Sequence, residues 1–265
     1  MNMTLFLKTF KRNWKLLLIF FLILLMYFSI MTAMYDPDDM AAIISMIELF
    51  PEDIMRAMGF DSIITNLTEY LASWLYGFLM FAFPMIYCII LSHRLVAKMV
   101  DDGSMVFILS TPLKRTEIII TQAIYALASL FVLFTLCFVS GTLIAETMQP
   151  GVLDIPAFLM LNFTTMLVNM TIIMIGFFAS SVFNDAKYAL GIGSGIPIVF
   201  LLMKMLGSVS SEGQIIADLS LYGLYDPVSL VSNPELMWYH GVYISIIIVL
   251  LFGSVLIFKK KQLPI

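Results

Sequence analysis

His93 and His240, Cys88 and Cys137, and Lys204 within an apolar run are the groups in this chain with the widest chemical scope. They do not assemble into a reaction centre. His93 falls at the inner edge of one apolar run and His240 at the outer edge of another, while both cysteines lie inside apolar runs at no metal-ligand spacing and imply no disulfide framework. There is no G-x-S-x-G, no H-E-x-x-H and no pair of aspartates within an apolar run, so a nucleophile with its base, or a set of metal ligands, has nowhere to form. Gly191-Ile192-Gly193-Ser194-Gly195 lacks the lysine of a phosphate-binding loop, and no G-x-x-x-x-G-K-[ST] occurs, so the chain does not bind and hydrolyse ATP by that route. Two patterns remain. Asn162, Thr165 and Asn169 share one helical face, where they serve either as bonds between helices or as a substrate contact. The stretch from Asp101 to Arg115 is a charged insert between apolar runs that carries its own apolar face, which is the chemistry of docking.

Composition decides which elements must position these groups. Hydrophobic residues are 61% of the chain, charged residues 12%, and mean hydropathy is +1.00, against roughly 25% charged residues in soluble domains. This is the composition of an integral membrane protein. Apolar runs near Leu16–Met34, Leu71–Leu91, Ile118–Ala145, Ala157–Val182, Ala189–Leu206 and Gly241–Phe258 each approach the roughly 20 residues a helix needs to cross about 30 Å of hydrocarbon. Lipid offers backbone groups no partner, so these runs predict an all-α membrane fold, a single transmembrane domain over residues 1–265. The first run is too long for a signal-peptide core and lacks a clear A-x-A site, which makes it an uncleaved span.

Basic residues set the orientation. Lys8, Lys11, Arg12 and Lys15 precede the first span, Arg94, Lys98, Lys114 and Arg115 lie in the second loop, and Lys187 and Lys259–Lys261 share that side, leaving only Arg56 and Lys204. Both termini are therefore expected in the cytoplasm, in a multi-pass protein of the cell membrane. Acids collect on the opposite face, from Asp36, Asp38 and Asp39 through Glu52, Asp53, Asp61 and Glu69 to Glu212, Asp218 and Glu235, so the sequence pI of 5.1 reflects an acidic outer surface. Nothing in this distribution supports nucleic-acid binding.

The loops add detail. Leu5, Phe6, Phe10 and Trp14 alternate with the basic residues before the first span as an amphipathic helix in the cytoplasmic interface, either a simple anchor or a connecting helix that touches a partner. Ala41–Phe50, between Pro37 and Pro51, reads as a short surface helix. Asp101, Asp102 and Ser104 supply a helix start, Met105, Ile108 and Leu109 fall at helical spacing, and Pro112 blocks continuation. The predicted short helix lies across the membrane base with its apolar side free to enter a groove on another protein. Gly207–Trp238 is too long for a tight turn, and Asp226-Pro227 suits the opening of another short helix, while Trp238 and Tyr239 anchor the last span. Pro84 and Pro197 interrupt the second and fifth spans as hinges or as static kinks. Lys204 either snorkels to the outer interface or stands near an exit gate. Gly191 and Gly195 have small-xxx-small spacing, for packing within one protomer or between two.

Gly103-Ser104 followed by Ile108-Leu109-Ser110-Thr111-Pro112-Leu113-Lys114-Arg115-Thr116-Glu117-Ile118 resembles the G-[ST]-x-x-x-L-L-[SA]-x-P-[VIL]-x-R-x-[EQ]-[IL] pattern of ABC-2 type exporter permeases. The six-span layout, the basic amphipathic N-terminus and the closing Phe258-Lys259-Lys260-Lys261-Gln262-Leu263 are similar to the same family, and Asp101-Asp102 depart from the Glu that many relatives carry before the glycine. The resemblance implies a coupling helix, assigning contact with an ATPase to Asp101, Asp102, Gly103, Ser104, Met105, Phe107, Ile108, Leu109, Pro112 and Arg115. It also implies a separate cytosolic ABC ATPase in two copies, a second permease chain forming a homodimer, and no cofactor on this chain, ATP and Mg belonging to the partner subunit. Second and fifth spans would face each other across the dimer axis, placing Trp74, Phe78, Phe81 and Met85 opposite Ile196, Phe200 and Met203, with Gly191 and Gly195 at the contact. Short re-entrant outer helices would cap the pathway, to which Asn162, Asn169 and Lys204 also belong. The abundance of Met and Phe suits either a bulky amphipathic cargo or lipid-facing helices; peptide-toxin exporters of the phenol-soluble-modulin type and antimicrobial or drug exporters are the nearest fit. The competing reading is a sensor or scaffold that controls a cytosolic ATPase without transporting anything.

Overall fold

A computed structural model describes residues 2–36, 66–207, 214–232 and 237–261, and the short helix expected over Ala41–Phe50, with Arg56, Glu212, Glu235 and the final Gln262-Leu263, lies outside them. Every regular element among the described residues is helical, and six helices are long and apolar enough to cross a membrane. The all-α membrane fold follows.

Helix α1 runs unbroken over Met3–Met34. The separate interfacial helix expected before the first span is instead its first turns, because neither Gly nor Pro interrupts the segment. At about 1.5 Å per residue the helix is roughly 48 Å long, well beyond the hydrocarbon layer. Its start is capped by Asn2, whose Oδ1 accepts from the Leu5 amide at 2.9 Å, and is tied to the third span by the Asn2 amide donating to Thr121 Oγ1 at 2.9 Å.

The second span has three parts: α2 (Leu67–Tyr70), a π-helical segment (Leu71–Leu79) and α3 (Met80–Leu95), which contains Pro84. It continues after a bend at Val96 into α4 (Ala97–Asp101) and α5 (Ser104–Leu109). The third and fourth spans are α6 (Arg115–Met148) and α7 (Ile155–Val182), the latter capped by Asp154 Oδ1 accepting from Ala157 N at 3.0 Å. The fifth is α8 (Ala186–Gly207). Short helices α9 (Gln214–Asp218) and α10 (Pro227–Ser232) precede the last span, α11 (Trp238–Lys260).

Helix α7 is the hub, packing against α3, α6, α8, α10 and α11, while α1 covers α6 and α3. Small residues set the closest approach. A Cβ on Gly193 would stand 3.1 Å from the Gly176 Cα, so α7 and α8 meet almost backbone to backbone, while the Ser92 side chain of α3 fills the space over Gly176. Gly193, rather than Gly191 or Gly195, is thus the fifth-span glycine that packs within the protomer. A Cβ at Gly191 or Gly195 would meet nothing within 4 Å.

Candidate functional site

Two regions gather the residues singled out above, one at the basic end of the bundle and one where α9 and α10 fold back on it.

At the basic end, the chain leaves α4 through Asp102 and Gly103. Gly103 has φ +72°, a left-handed turn that glycine adopts without steric cost, and Asp102 Oδ1 accepts from the Ser104 amide at 2.9 Å. Bonds from the Ser104 hydroxyl and amide, then the nearby Lys98 and Arg12, hold the Asp102 carboxyl below its ordinary range, so it stays ionised as the first residue of the turn. Asp101 ends α4 and is exposed. Within α5 the inward side is Met105, which is buried, with Ile108 and Leu109 half-buried against the core. The apolar side expected to be free is therefore turned onto the protein itself. Free apolar surface comes from Val106 and from Phe107, which is 77% exposed. Pro112 is exposed in the bend that follows, and Arg115 opens α6 with its guanidinium donating to the Lys261 carbonyl at 2.7 Å.

Lys261 completes this end. Its Nζ donates to the Phe183 carbonyl at 2.6 Å and the Ser180 carbonyl at 3.5 Å, at the C-terminus of α7 where the unpaired carbonyls attract a cation. Burial lowers its pKa to about 8. Arg115 and Lys261 thus join the start of α6, the end of α7 and the end of α11. Within a run of three lysines nothing distinguished Lys261 from its neighbours.

The second region forms around Tyr222 and Tyr225, both fully buried in the turn between α9 and α10. Phe81 meets Tyr222 edge-on at 4.3 Å and stacks on Tyr225 at 6.1 Å, Phe200 lies 6.5 Å from Tyr222, and the Tyr222 hydroxyl points at Met85 Sδ at 3.9 Å. The Tyr225 hydroxyl bonds Thr165 Oγ1 at 2.7 Å and the Tyr76 carbonyl at 3.2 Å. Lys204 donates to the Tyr225 carbonyl at 2.6 Å and stands 4.9 Å from its ring centroid. Lys204 is accordingly held by the inserted turn rather than extended alone toward an interface. The two tyrosines form a plug linking the second, fourth and fifth spans.

Of the other pathway candidates, Trp74 is half-buried and 6.2 Å from Tyr70, and Phe78 is exposed. Asn162 and Asn169 are enclosed by the bundle. Asn162 accepts from the Tyr76 hydroxyl at 3.1 Å and donates to the Phe134 carbonyl at 3.0 Å, while Asn169 donates to the Thr165 carbonyl at 2.9 Å and its own carbonyl faces Cys88 Sγ at 3.4 Å. The polar face of α7 acts here as bonding between helices. His240, also buried, bonds Thr164 Oγ1 at 2.8 Å. No group of His, Cys, Asp and Glu among the described residues is arranged to hold a metal ion.

The profile of the family described as ABC-2 family transporter protein matches residues 6–263, which includes both regions. No curated protein and no solved structure matches the chain.

Proposed function

The chain belongs to the ABC-2 transporter family, a membrane-spanning permease subunit that works with an ABC ATPase, and from that premise we propose that it exports amphipathic peptides or hydrophobic drug-like molecules across the cytoplasmic membrane. In this reading both termini are cytoplasmic, two copies of the chain pair through their second and fifth spans, and two ATPase subunits dock beneath them with ATP and Mg.

The observation that carries the reading is α5. It is joined to the second span by α4 and to the third by the Pro112 bend, is anchored by Met105, and leaves Phe107 exposed. A push on such a helix reaches both spans. The open surface beside Gly191 and Gly195 on α8, with Ile192, Ile196 and Val199 exposed around it, supports pairing of two copies. Phe200 and Lys204, both partly exposed beside the tyrosine plug, supply an aromatic and cationic surface that suits an apolar cargo with an anionic part.

Copurification of the tagged chain from membranes, followed by ATPase assay with and without amphipathic peptides, tests this. A stoichiometric ATPase stimulated by peptide is the expected result, together with peptide accumulation in inverted vesicles. A bound ATPase that ignores every cargo would leave the sensor reading in its place, and a chain with no nucleotide-hydrolysing partner would remove the coupling role.

A further inference from the structure

Arg12 of α1, Arg94 of α3 and Lys98 of α4 converge on a cavity of about 340 Å³ whose other walls are Asn13, Met99 and Asp102. We propose that this cavity is a binding site for the headgroup of an anionic glycerophospholipid of the phosphatidylglycerol type. Its phosphate sits among the three cations, and its glycerol hydroxyls donate to Asp102.

The cations are poorly matched from within the chain. Among the described residues neither Arg94 nor Lys98 has a hydrogen-bond or ion-pair partner, and the bond Arg12 makes is to the thioether of Met99 at 3.2 Å, a weak acceptor for a guanidinium. Asp102 brings one negative charge against three positive ones and is already occupied with the Ser104 amide. A phosphate ester, with its charge and several acceptor oxygens, fits that remainder.

Asp102 narrows the ligand further. It is exposed, and with Oδ1 accepting from the Ser104 amide at 2.9 Å its carboxylate retains further acceptor positions. An exposed acceptor carboxylate beside a cationic cluster calls for a ligand that is an anion at one end and a hydroxyl donor at the other. A diester phosphate bearing a glycerol meets both demands, whereas a phosphate alone supplies the charge and a choline headgroup brings no donor. The same face of α1 provides a place for the acyl chains: Ile19 and Met26 follow Arg12 at intervals of seven residues and are both exposed. A basic pocket between helix ends at the membrane surface is where an anionic headgroup gains both electrostatic attraction and an apolar neighbour. Asp102 and Met99 flank the joint between α4 and α5, so a bound headgroup braces α1 against the segment that presents Phe107. The inference needs the chain to span a membrane and does not depend on its cargo or direction of transport.

The test follows thermal unfolding of the purified full chain during titration with dioctanoyl-phosphatidylglycerol, dioctanoyl-phosphatidylcholine or inorganic phosphate. The expected result is a saturable rise in midpoint with phosphatidylglycerol alone, with half-saturation moved at least tenfold upward in the Arg94→Gln/Lys98→Gln double variant and unchanged in Lys187→Gln. Native mass spectrometry of the unaltered chain from a mixture of the two lipids gives a readout free of folding effects, with preferential retention of phosphatidylglycerol expected. Equal responses to both lipids, or an unchanged response in the double variant, would overturn the site. A response to inorganic phosphate at the same concentration would make it a free-phosphate site and overturn the lipid. Lost ATPase binding in the double variant, with no lipid preference in either assay, would assign the cations to an acidic face of the partner and overturn the proposal.

Discussion

Phe107→Asp separates docking from folding at a single position. With 77% of the residue in solvent and about 200 Å² on a phenylalanine side chain, roughly 150 Å² is available to a partner. At ~25 cal/mol per Å² that area is worth roughly 4 kcal/mol, and holding the ring still costs about 1 kcal/mol of it. The remainder corresponds to roughly a 100-fold weaker Kd when the ring is lost, and burying an aspartate carboxylate in its place adds to the loss. Because the ring touches little of its own chain, the unfolding free energy of the variant should stay within about 0.5 kcal/mol of the original. Met105→Ala makes the opposite pattern. Met105 is buried, so its truncation lowers stability by about 2–5 kcal/mol while leaving the outward face of α5 in place. The assay is equilibrium titration of the copurifying ATPase onto the chain in lipid nanodiscs, with melting of each variant in parallel. Binding of Phe107→Asp within threefold of the original, at an unchanged midpoint, would refute α5 as the docking element.

Three further results are expected. Gly176→Ala places a methyl 2.3 Å from Ser92 Oγ and should lower stability by about 1–3 kcal/mol; Ser92→Gly in the same chain should restore more than half of that, and an additive double variant would disprove the contact. Lys261 titrates near pH 8 when folded, against an ordinary 10.5. The unfolded chain therefore holds more protons between those values, and stability should rise with pH through that window; Lys261→Met should abolish the rise, which a pH series of melting curves measures. Tyr225→Phe removes the bonds to Thr165 and the Tyr76 carbonyl, with an expected cost of about 1–3 kcal/mol. An unchanged midpoint would show that the plug is held by its rings alone.

The spans were legible because each is a long apolar run, and the spacing of Asn162, Thr165 and Asn169 revealed the buried polar face of α7 in the same way. The position of α5 is legible from Asp102 before it and Pro112 after it, but which of its faces packs inward is not. In six residues with Met105, Val106, Phe107, Ile108 and Leu109 in succession, apolar side chains point all round the helix, and only packing decides which are covered. The tyrosine plug escaped for a different reason: its partners, Phe81, Met85, Phe200 and Lys204, come from distant spans, and nothing local in Leu219–Tyr225 states that the turn inserts. Lys261 and the Arg12–Arg94–Lys98 cluster are equally non-local, since loop charges read along the chain give a side of the membrane and not a pairing. Continuity of α1 was obscured by the change from mixed to apolar composition near Leu16, which marks a change of solvent and leaves the backbone unaffected.

The π-helical turn pattern of Leu71–Leu79 makes the second span a rod with two pitches. Leu71, Tyr76 and Phe81 are buried at intervals of five residues, after which Phe81, Met85, Cys88, Ser92 and Leu95 are buried at intervals of four and three. A wheel drawn at one pitch through this span therefore puts half of its residues on the wrong azimuth. The offset also makes the segment an elastic joint in the rotational sense: removing one residue from it lets the backbone close with ordinary i to i+4 bonds while the lower half keeps its facing, whereas the same deletion below Met80 turns everything beyond it by about 100°.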